Sequence, residues 1–563
     1  MRWTLKPKPE LSKLNYLSES LQVEASIASL LLSRGIETYE EAKQFFRPSL
    51  NELHDPFLMK DMDKAVERVE KAIANGENIL VFGDYDVDGT TSVALMSSYL
   101  KTRTDAVATY IPDRYEEGYG VSIKGIDFAH DNDFSLIITL DCGIKAIDKV
   151  AYAKEKGIDF IICDHHRPGL ELPAAVAILD PKREDCSYPY DELCGCGVGF
   201  KLVQALASRQ GQSIEDLTHY LDLVATAIGA DIVPITGENR ILAYFGLQVI
   251  NGNPRAGIKA IIDQTKKTQL TITDVVFIIA PRINAAGRMK HGNHAVTLLT
   301  EEDPELAQTY ALQIEQFNTD RKEADQLITQ EALLQIEECN EQERLTSVVY
   351  QETWHKGVIG IVASRLIETY YRPTLVFTRS GDRLAASARS VSGFDVYNAL
   401  EACSMHIEQF GGHKYAAGLT LKEENYEAFK QAFEDEVSKT IDRALLIPEI
   451  RVDMAIDLKE ITPKFYRILK QFGPFGPGNM APVFMTENLN DTGYGKCVGE
   501  DDKHLRVTIK HGNSDSMVAI GFNLGDKCEL ITNKKLFKAV YSIDENHWQG
   551  NVSLQMKLRD IKS

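Results

Sequence analysis

The sequence is short of long hydrophobic runs, of repeats and of positive charge. No apolar stretch approaches the ~20 residues that a membrane-spanning helix needs, which excludes a helical membrane protein. The opening MRWTLKPKPELSKL has no apolar secretory core, so a cytoplasmic protein is expected. Without internal repeats or low-complexity tracts, neither a fibrous nor a mainly disordered chain is expected. The nine cysteines are odd in number, scattered and mostly in apolar contexts, so they are expected as reduced thiols and not as a disulfide framework. Cations are the clearest deficit: 62 Lys and Arg against 82 Asp and Glu leave a net −20. Treated as uniform, that charge argues against a polyanionic partner.

What is present is an ordinary globular composition, 44% hydrophobic, over a length that suggests roughly three or four domains. Residues 1–65 read as a peripheral helical segment. Across 66–300, short apolar runs (79–82, 136–140, 160–163, 176–179) alternate with helical periodicity, which predicts an α/β domain with a parallel sheet covered on both faces. Residues 301–345 read as one charged connecting helix. A smaller α/β domain is expected over 346–445, and short alternating runs over 446–563 predict a β-barrel.

The sharpest feature is GDYDVDG at 83–89, directly after an apolar run. An extended segment would set Asp84, Asp86 and Asp88 on one side. Crowded carboxylates repel unless a divalent cation resolves the repulsion. A calcium-type loop or an acidic turn also accommodates such a sequence, although the bidentate Glu of a calcium loop is absent. Further polar groups follow later apolar runs: Asp141, then Asp164, His165 and His166, then Asp180 and Asp231. Ligands of an open parallel sheet gather at the carboxyl ends of its strands, so these positions are expected on one rim. Asp180 reads equally well as a cap. Mixed Asp and His donors suit Mn²⁺ and admit Mg²⁺, as one or two ions.

GDYDVDG, the LDCG around Asp141, CDHH at 163–166 and GADIVP at 229–234 resemble the successive motifs of the DHH phosphoesterase superfamily. FGGHKYAAG at 410–418 resembles the glycine-rich signature of the DHH-associated domain. IPDRYEEGYG at 111–120, PRINAAGRM at 281–289 and WHKGVIGIVASRL at 354–366 resemble the RecJ-type branch, and the C-terminal region would be its OB-like domain. The resemblance implies metal roles for Asp84, Asp86, Asp88, Asp141, His165 and Asp231, with Asp164 and His166 supporting them. Phe82 stands where many members carry a His; Asp84 is the expected substitute.

Local cation excesses lie in 271–300 (net +2) and 372–393 (net +3). Guanidinium forks suit phosphate oxygens, although Arg372 and Arg379 read better as solvated surface. By resemblance, Arg114, Ser387 and Arg389 form a pocket for a 5′-terminal phosphate. Arg282, Asn284, Arg288, His355, Gly412, His413 and Lys414 are further candidate nucleic-acid contacts, the glycine block as a clamp across the cleft. Tyr115 and Tyr119 are candidates for base stacking. Cys194-Gly195-Cys196 is read as a turn, since no second pair accompanies it for zinc.

The expectation is a metal-dependent 5′→3′ exonuclease on single-stranded DNA, serving repair and recombination as a monomer, with a single-strand-binding protein and a helicase as partners. The alternatives are a phosphodiesterase for oligoribonucleotides or cyclic dinucleotides, an inorganic pyrophosphatase, and a non-catalytic replication scaffold. The charge is uneven: 301–345 holds 13 acidic and 3 basic residues, half of the net −20.

Overall fold

The computed structural model describes every residue except 533–535 and 549. Its first lobe is built on a five-stranded, all-parallel sheet: β2 (Asn78–Gly83), β3 (Val107–Tyr110), β4 (Phe134–Leu140), β5 (Asp159–Cys163) and β6 (Ala177–Leu179), in the order β3-β2-β4-β5-β6. These strands are near-continuously apolar because both faces are covered. Ile79, Val81, Leu136 and Ile138 face one core, against helices Val87–Lys101, Gly195–Arg209 and Leu221–Asp231. Leu80, Phe82, Ile137 and Phe160 face the other, under helices Ile123–Asp131 and Ile147–Glu155. Phe82 is thus a core residue on the far face, stacked on Tyr110. The chain leaves β2 for β3 on one side and then crosses to β4 on the other. The carboxyl ends of β2 and β4 therefore flank the switch point where such sheets bind ligands.

Pro304–Glu338 is the connecting helix, 35 residues long, with Pro304 at its first position and the Asp303 carboxylate accepting from Glu305 and Leu306 N–H. It packs on helix Ala280–Met289 of the first lobe and helix Ile359–Tyr370 of the second. The second lobe holds a mixed sheet, β10-β11-β9-β8-β7: β7 (Ser347–Tyr350) and β8 (Thr374–Ser380) are parallel, while β9 (Arg383–Arg389), β10 (Gln409–His413) and β11 (Ala416–Leu421) are antiparallel. The glycine-rich block is consequently the β10–β11 hairpin.

Two segments differ from their sequence reading. Residues 1–65 are not peripheral: β1 (Arg2–Leu5) pairs in parallel with β12 (Glu449–Val452), and Leu17, Ile27, Leu30 and Leu31 share a core with Phe465, Phe484 and Tyr541. A helix as apolar as Ala25–Leu32 cannot stay on a surface, and its partners lie more than 400 residues away. The C-terminal region is a closed barrel. After the short strand β13 (Met454–Ala455), β14 (Phe484–Asp491), β16 (His504–His511), β17 (Met517–Gly521), β19 (Asn551–Lys562) and β18 (Phe537–Trp548) pair in that order and back to β14. Only β17 and β19 run parallel within this ring, an OB topology. Barrel closure brings Cys497, on the short strand β15 (Lys496–Val498), to Cys528, and the two are joined by a disulfide; the expectation of reduced thiols fails for this pair.

The barrel is fastened to the first lobe just after Asp231. Ile235 N–H donates to Pro477 O at 2.7 Å. Arg240 donates to Phe45 O and Phe472 O, both at 2.9 Å, and lies over the Phe45 ring. Gly476 is required there, since a Cβ would meet the Ile235 side chain at 2.5 Å.

Candidate metal centre and phosphate pocket

The acidic motif is a strand-turn-helix, not an extended strand. β2 ends at Gly83, and Asp86 caps helix Val87–Lys101 by accepting from Gly89 N–H at 3.0 Å. A Cβ on Gly89 would meet the Asp84 backbone at 2.4 Å, so glycine is what lets the turn close. Asp84, Asp86 and Asp88 converge through this turn. Asp88 is fully buried and accepts from Gly195 and Cys196 N–H at 2.6 and 2.7 Å. The Cys194-Gly195-Cys196 turn is thus a helix N-terminus whose amides hold an acidic side chain. A Cβ on Gly195 would lie 2.6 Å from Asp141 Cβ. Side-chain reasoning missed this contribution; the available signal was the glycine-rich GCGVG opening a helix.

His165 is the centre of the rim. Its Nε2 lies 3.2 Å from Asp141 Oδ1, 3.6 Å from Asp231 Oδ2 and 3.8 Å from Asp88 Oδ2. Two donor triads share it, Asp141–His165–His166 and Asp88–His165–Asp231, each with its donor atoms within 4.8 Å of one another. Asp231 arrives as the last residue of helix Leu221–Asp231, not after a strand as its apolar run implied. Asp84 stands outside both triads; its carboxylate accepts from Gly120 N–H at 3.2 Å. Asp86 is also outside them, yet near enough to raise the pKa of Asp84, Asp141 and Asp231. Asp180 accepts from Lys182 N–H in the turn that leaves β6; no helix begins there, so the bond closes a turn and is not a helix cap.

The electrostatics are those of crowded anions. Burial, then Asp231, pushes Asp88 up to about 7, and burial, then Asp86, does the same to Asp231. Burial also raises Asp84 and Asp141 and lowers His165. Asp164 is the exception: against its burial, the His166 hydrogen bond holds it down to about 2. In turn, against its own burial, His166 is raised to about 9 by that bond, 2.7 Å long. Asp84 Oδ2 and His165 Nδ1 are buried without a hydrogen-bond partner. Oxygen and imidazole donors that converge and are reluctant to ionise together fit a divalent cation.

A second cluster lies between the lobes. The Arg114 guanidinium sits 4.0 Å over the Tyr85 ring, and its Nε is buried without a partner. Arg288 donates to Gly357 O at 2.9 Å and is held down to about 10 by burial, then by Arg114 and Arg389. Arg389 donates to Ser387 Oγ at 3.0 Å. The missing Cβ of Gly360 leaves 3.0 Å to both Ser387 Oγ and Arg389 Nη2. Tyr115 donates to Arg288 O and meets the His355 ring edge-on, so it braces the cluster instead of offering a free face. Among the described residues, none of these three arginines forms an ion pair within 4.0 Å.

Other sequence candidates lie elsewhere. Arg282 pairs with Glu315 at 2.6 Å, whereas Asn284 precedes Arg288 by one helical turn on the same face. Arg372 is buried, not solvated: it donates to Ser347 Oγ and to the carbonyls of Glu341, Gln342 and Arg344. Arg379 and Arg383 are paired with glutamates, so the +3 segment brings only Arg389 to the cleft. Gly412, His413 and Lys414 are exposed on the β10–β11 hairpin, one strand removed from the pocket, since Ala416 and Gly418 of β11 face Arg389 and Ser387. Tyr119 turns its hydroxyl inward, to Asp141 O and His166 Nε2.

Models of three domains match the chain: the N-terminal domain of the DHH family over residues 78–228, the DHHA1 domain over 343–439 and the RecJ OB domain over 452–560. The single-stranded-DNA-specific exonuclease RecJ of Bacillus subtilis is 36% identical across 100% of this chain and 70% of its own length. That of Escherichia coli is 34% identical across 94% and 95%. Among solved structures, Thermus thermophilus RecJ in complex with Mn²⁺ superposes with a TM-score of 0.86 at 26% identity, covering 100% of this chain and 79% of that one. An exonuclease RecJ bound to manganese gives 0.61 at 31% identity over 69% and 96%.

Proposed function

Because the chain belongs to the RecJ family of single-stranded-DNA-specific exonucleases, we propose that it removes mononucleotides from the 5′ end of single-stranded DNA. The observation that carries this reading is the pairing of an acidic rim with an anion-deficient arginine pocket, joined where Arg114 covers Tyr85 of the acidic turn. Arg114, Arg288, Ser387 and Arg389 grip the 5′-terminal phosphate, so the first phosphodiester falls at the rim. Asp88, Asp141, His165 and Asp231 would hold Mn²⁺ or Mg²⁺, which would supply Lewis acidity toward a phosphoryl oxygen and toward water. Asp84 and Asp86 complete the negative field that selects the cation. His166, oriented by Asp164, presents positive charge to a phosphoryl oxygen. Asn284 and His355 line the approach, with Gly412, His413 and Lys414 at its margin. The barrel holds the trailing strand. Within this reading the protein works in the cytoplasm as a monomer, in repair and recombination, on substrate supplied by a helicase and a single-strand-binding protein.

The test is degradation of single strands labelled at either end, with or without a 5′-phosphate, in Mn²⁺ or Mg²⁺. The 5′ label leaves first, and faster from phosphorylated ends. Release from the 3′ end first overturns the polarity; hydrolysis confined to dinucleotides overturns the substrate class.

A further inference from the structure

We propose that Tyr119 is a positioning residue that acts through His166, an inference that rests on the exonuclease reading above. Tyr119 lies between Gly118 (φ 82°) and Gly120 (φ 78°), both in the left-handed region that favours glycine. The two glycines turn the loop so that Gly120 N–H donates to Asp84 and the Tyr119 side chain crosses the rim. Its hydroxyl lies 3.2 Å from His166 Nε2, while His166 Nδ1 lies 2.7 Å from Asp164 Oδ1. The imidazole is therefore fixed at both nitrogens. Asp164 is itself immobile, since its carboxylate accepts from the backbone N–H of Ile144, His165 and His166. A half-exposed histidine held at one nitrogen can still swing about that bond, and the phenol removes this freedom. The hydroxyl is anchored in turn on Asp141 O, at 3.1 Å.

The ring has a second contact. It meets Tyr85 edge-on, at 6.1 Å between centroids, and Tyr85 carries Arg114 over its face. The pocket arginine and His166 thus share one aromatic support, supplied by two motifs well separated in the sequence. Base stacking, the role expected from sequence, engages a ring face; here the working atom is the hydroxyl.

Tyr119→Phe, Tyr119→Leu, His166→Ala and the Phe–Ala double variant of the full chain separate these roles. Turnover of 5′-phosphorylated single strands at saturating Mn²⁺, melting temperature and Mn²⁺ affinity by calorimetry without DNA are measured for each. Tyr119→Phe is expected to lower kcat by roughly 10–100-fold, the usual effect of losing an orienting partner. KM, melting temperature and Mn²⁺ affinity stay at the wild-type values. In the His166→Ala background the same change costs less than about twofold, because coupled residues are not additive. Wild-type kcat in Tyr119→Phe with loss only in Tyr119→Leu overturns the inference in favour of stacking. A loss that multiplies in full with His166→Ala, or a matching drop in Mn²⁺ affinity, also overturns it. A wild-type protein that leaves single strands intact would instead overturn the exonuclease reading itself.

Discussion

The cleft and the junction around Arg240 both bury like charges, and they resolve the repulsion in opposite ways. At the junction burial lowers both Arg34 and Arg240, and Arg34 lowers Arg240 further, yet their N–H groups are met by the carbonyls of Leu30, Phe45, Phe472 and Met480 and by Asn479 Oδ1, with Phe45 and Phe472 under the guanidinium planes. Only Arg240 Nε is left over. In the cleft Arg114, Arg288 and Arg389 have far fewer acceptors, and the neighbouring rim leaves Asp84 Oδ2 and His165 Nδ1 unpaired. A buried polar atom without a partner costs about 1–3 kcal/mol. A fold retains several together where a ligand completes them. Buried arginine is therefore no mark of a binding site; incompletely bonded cations gathered beside an acidic rim are.

Substitution at the rim sharpens the contrast most. Asp141→Asn keeps the shape and removes one of the crowded charges. Hydrolysis is expected to fall by about 10³-fold, on the scale of losing a group that stabilises developing charge. The metal-free protein melts at the same temperature or higher, since repulsion is relieved. Retained turnover breaks the assignment of the rim.

Arg389→Ala comes next. Truncating one side of a buried charge contact costs about 2–5 kcal/mol, so kcat/KM on 5′-phosphorylated strands should fall by about 10²-fold. Strands with a 5′-hydroxyl lose much less, and the melting temperature does not drop. Equal losses on both ends remove the phosphate from the pocket. Arg240→Met reverses the pattern. It strands several carbonyls and lowers unfolding stability by about 2–4 kcal/mol, while turnover per folded molecule stays within a few-fold. A large kcat loss with unchanged melting dissolves the distinction between the two regions.

The same letters meet different fates here, which sets the limit of sequence reading. β2, β4, β5 and β6 were legible because strands buried on both faces are apolar runs with sharp ends. The order of acidic motifs was legible because a parallel sheet delivers each strand's exit to one rim. Asp86 as a helix cap was not, since alternation along a strand and a turn into a helix both bring Asp84, Asp86 and Asp88 together. Gly195 and Cys196 contribute backbone amides, which carry no side-chain signature. Arg282, Arg372 and Arg389 are indistinguishable in sequence; Glu315, a cage of carbonyls and Ser387 decide among them, and each is a tertiary neighbour. The N-terminal helices announced a buried face without naming their partner in the barrel.

The smallest effect tests whether the rim is incomplete without a cation. Asp88 and Asp231 are each raised to about 7, by burial first and neighbouring carboxylates second. In the unfolded chain both titrate near the ordinary carboxylate value of about 4. Raised groups bind more protons folded than unfolded, so their contribution to metal-free stability is complete below about pH 4 and is lost as pH rises through about 7. Near pH 6 a cation must displace protons from the rim; near pH 8 it finds carboxylates already ionised and repelling. Millimolar Mn²⁺ should therefore raise the melting temperature by a few degrees more near pH 8 than near pH 6. Arg240→Met, melting lower throughout, should keep this pH-dependent increment in full, because the junction holds no part of the rim. Asp141→Asn should lose most of it. An increment independent of pH, or one that survives Asp141→Asn intact, places the cation elsewhere.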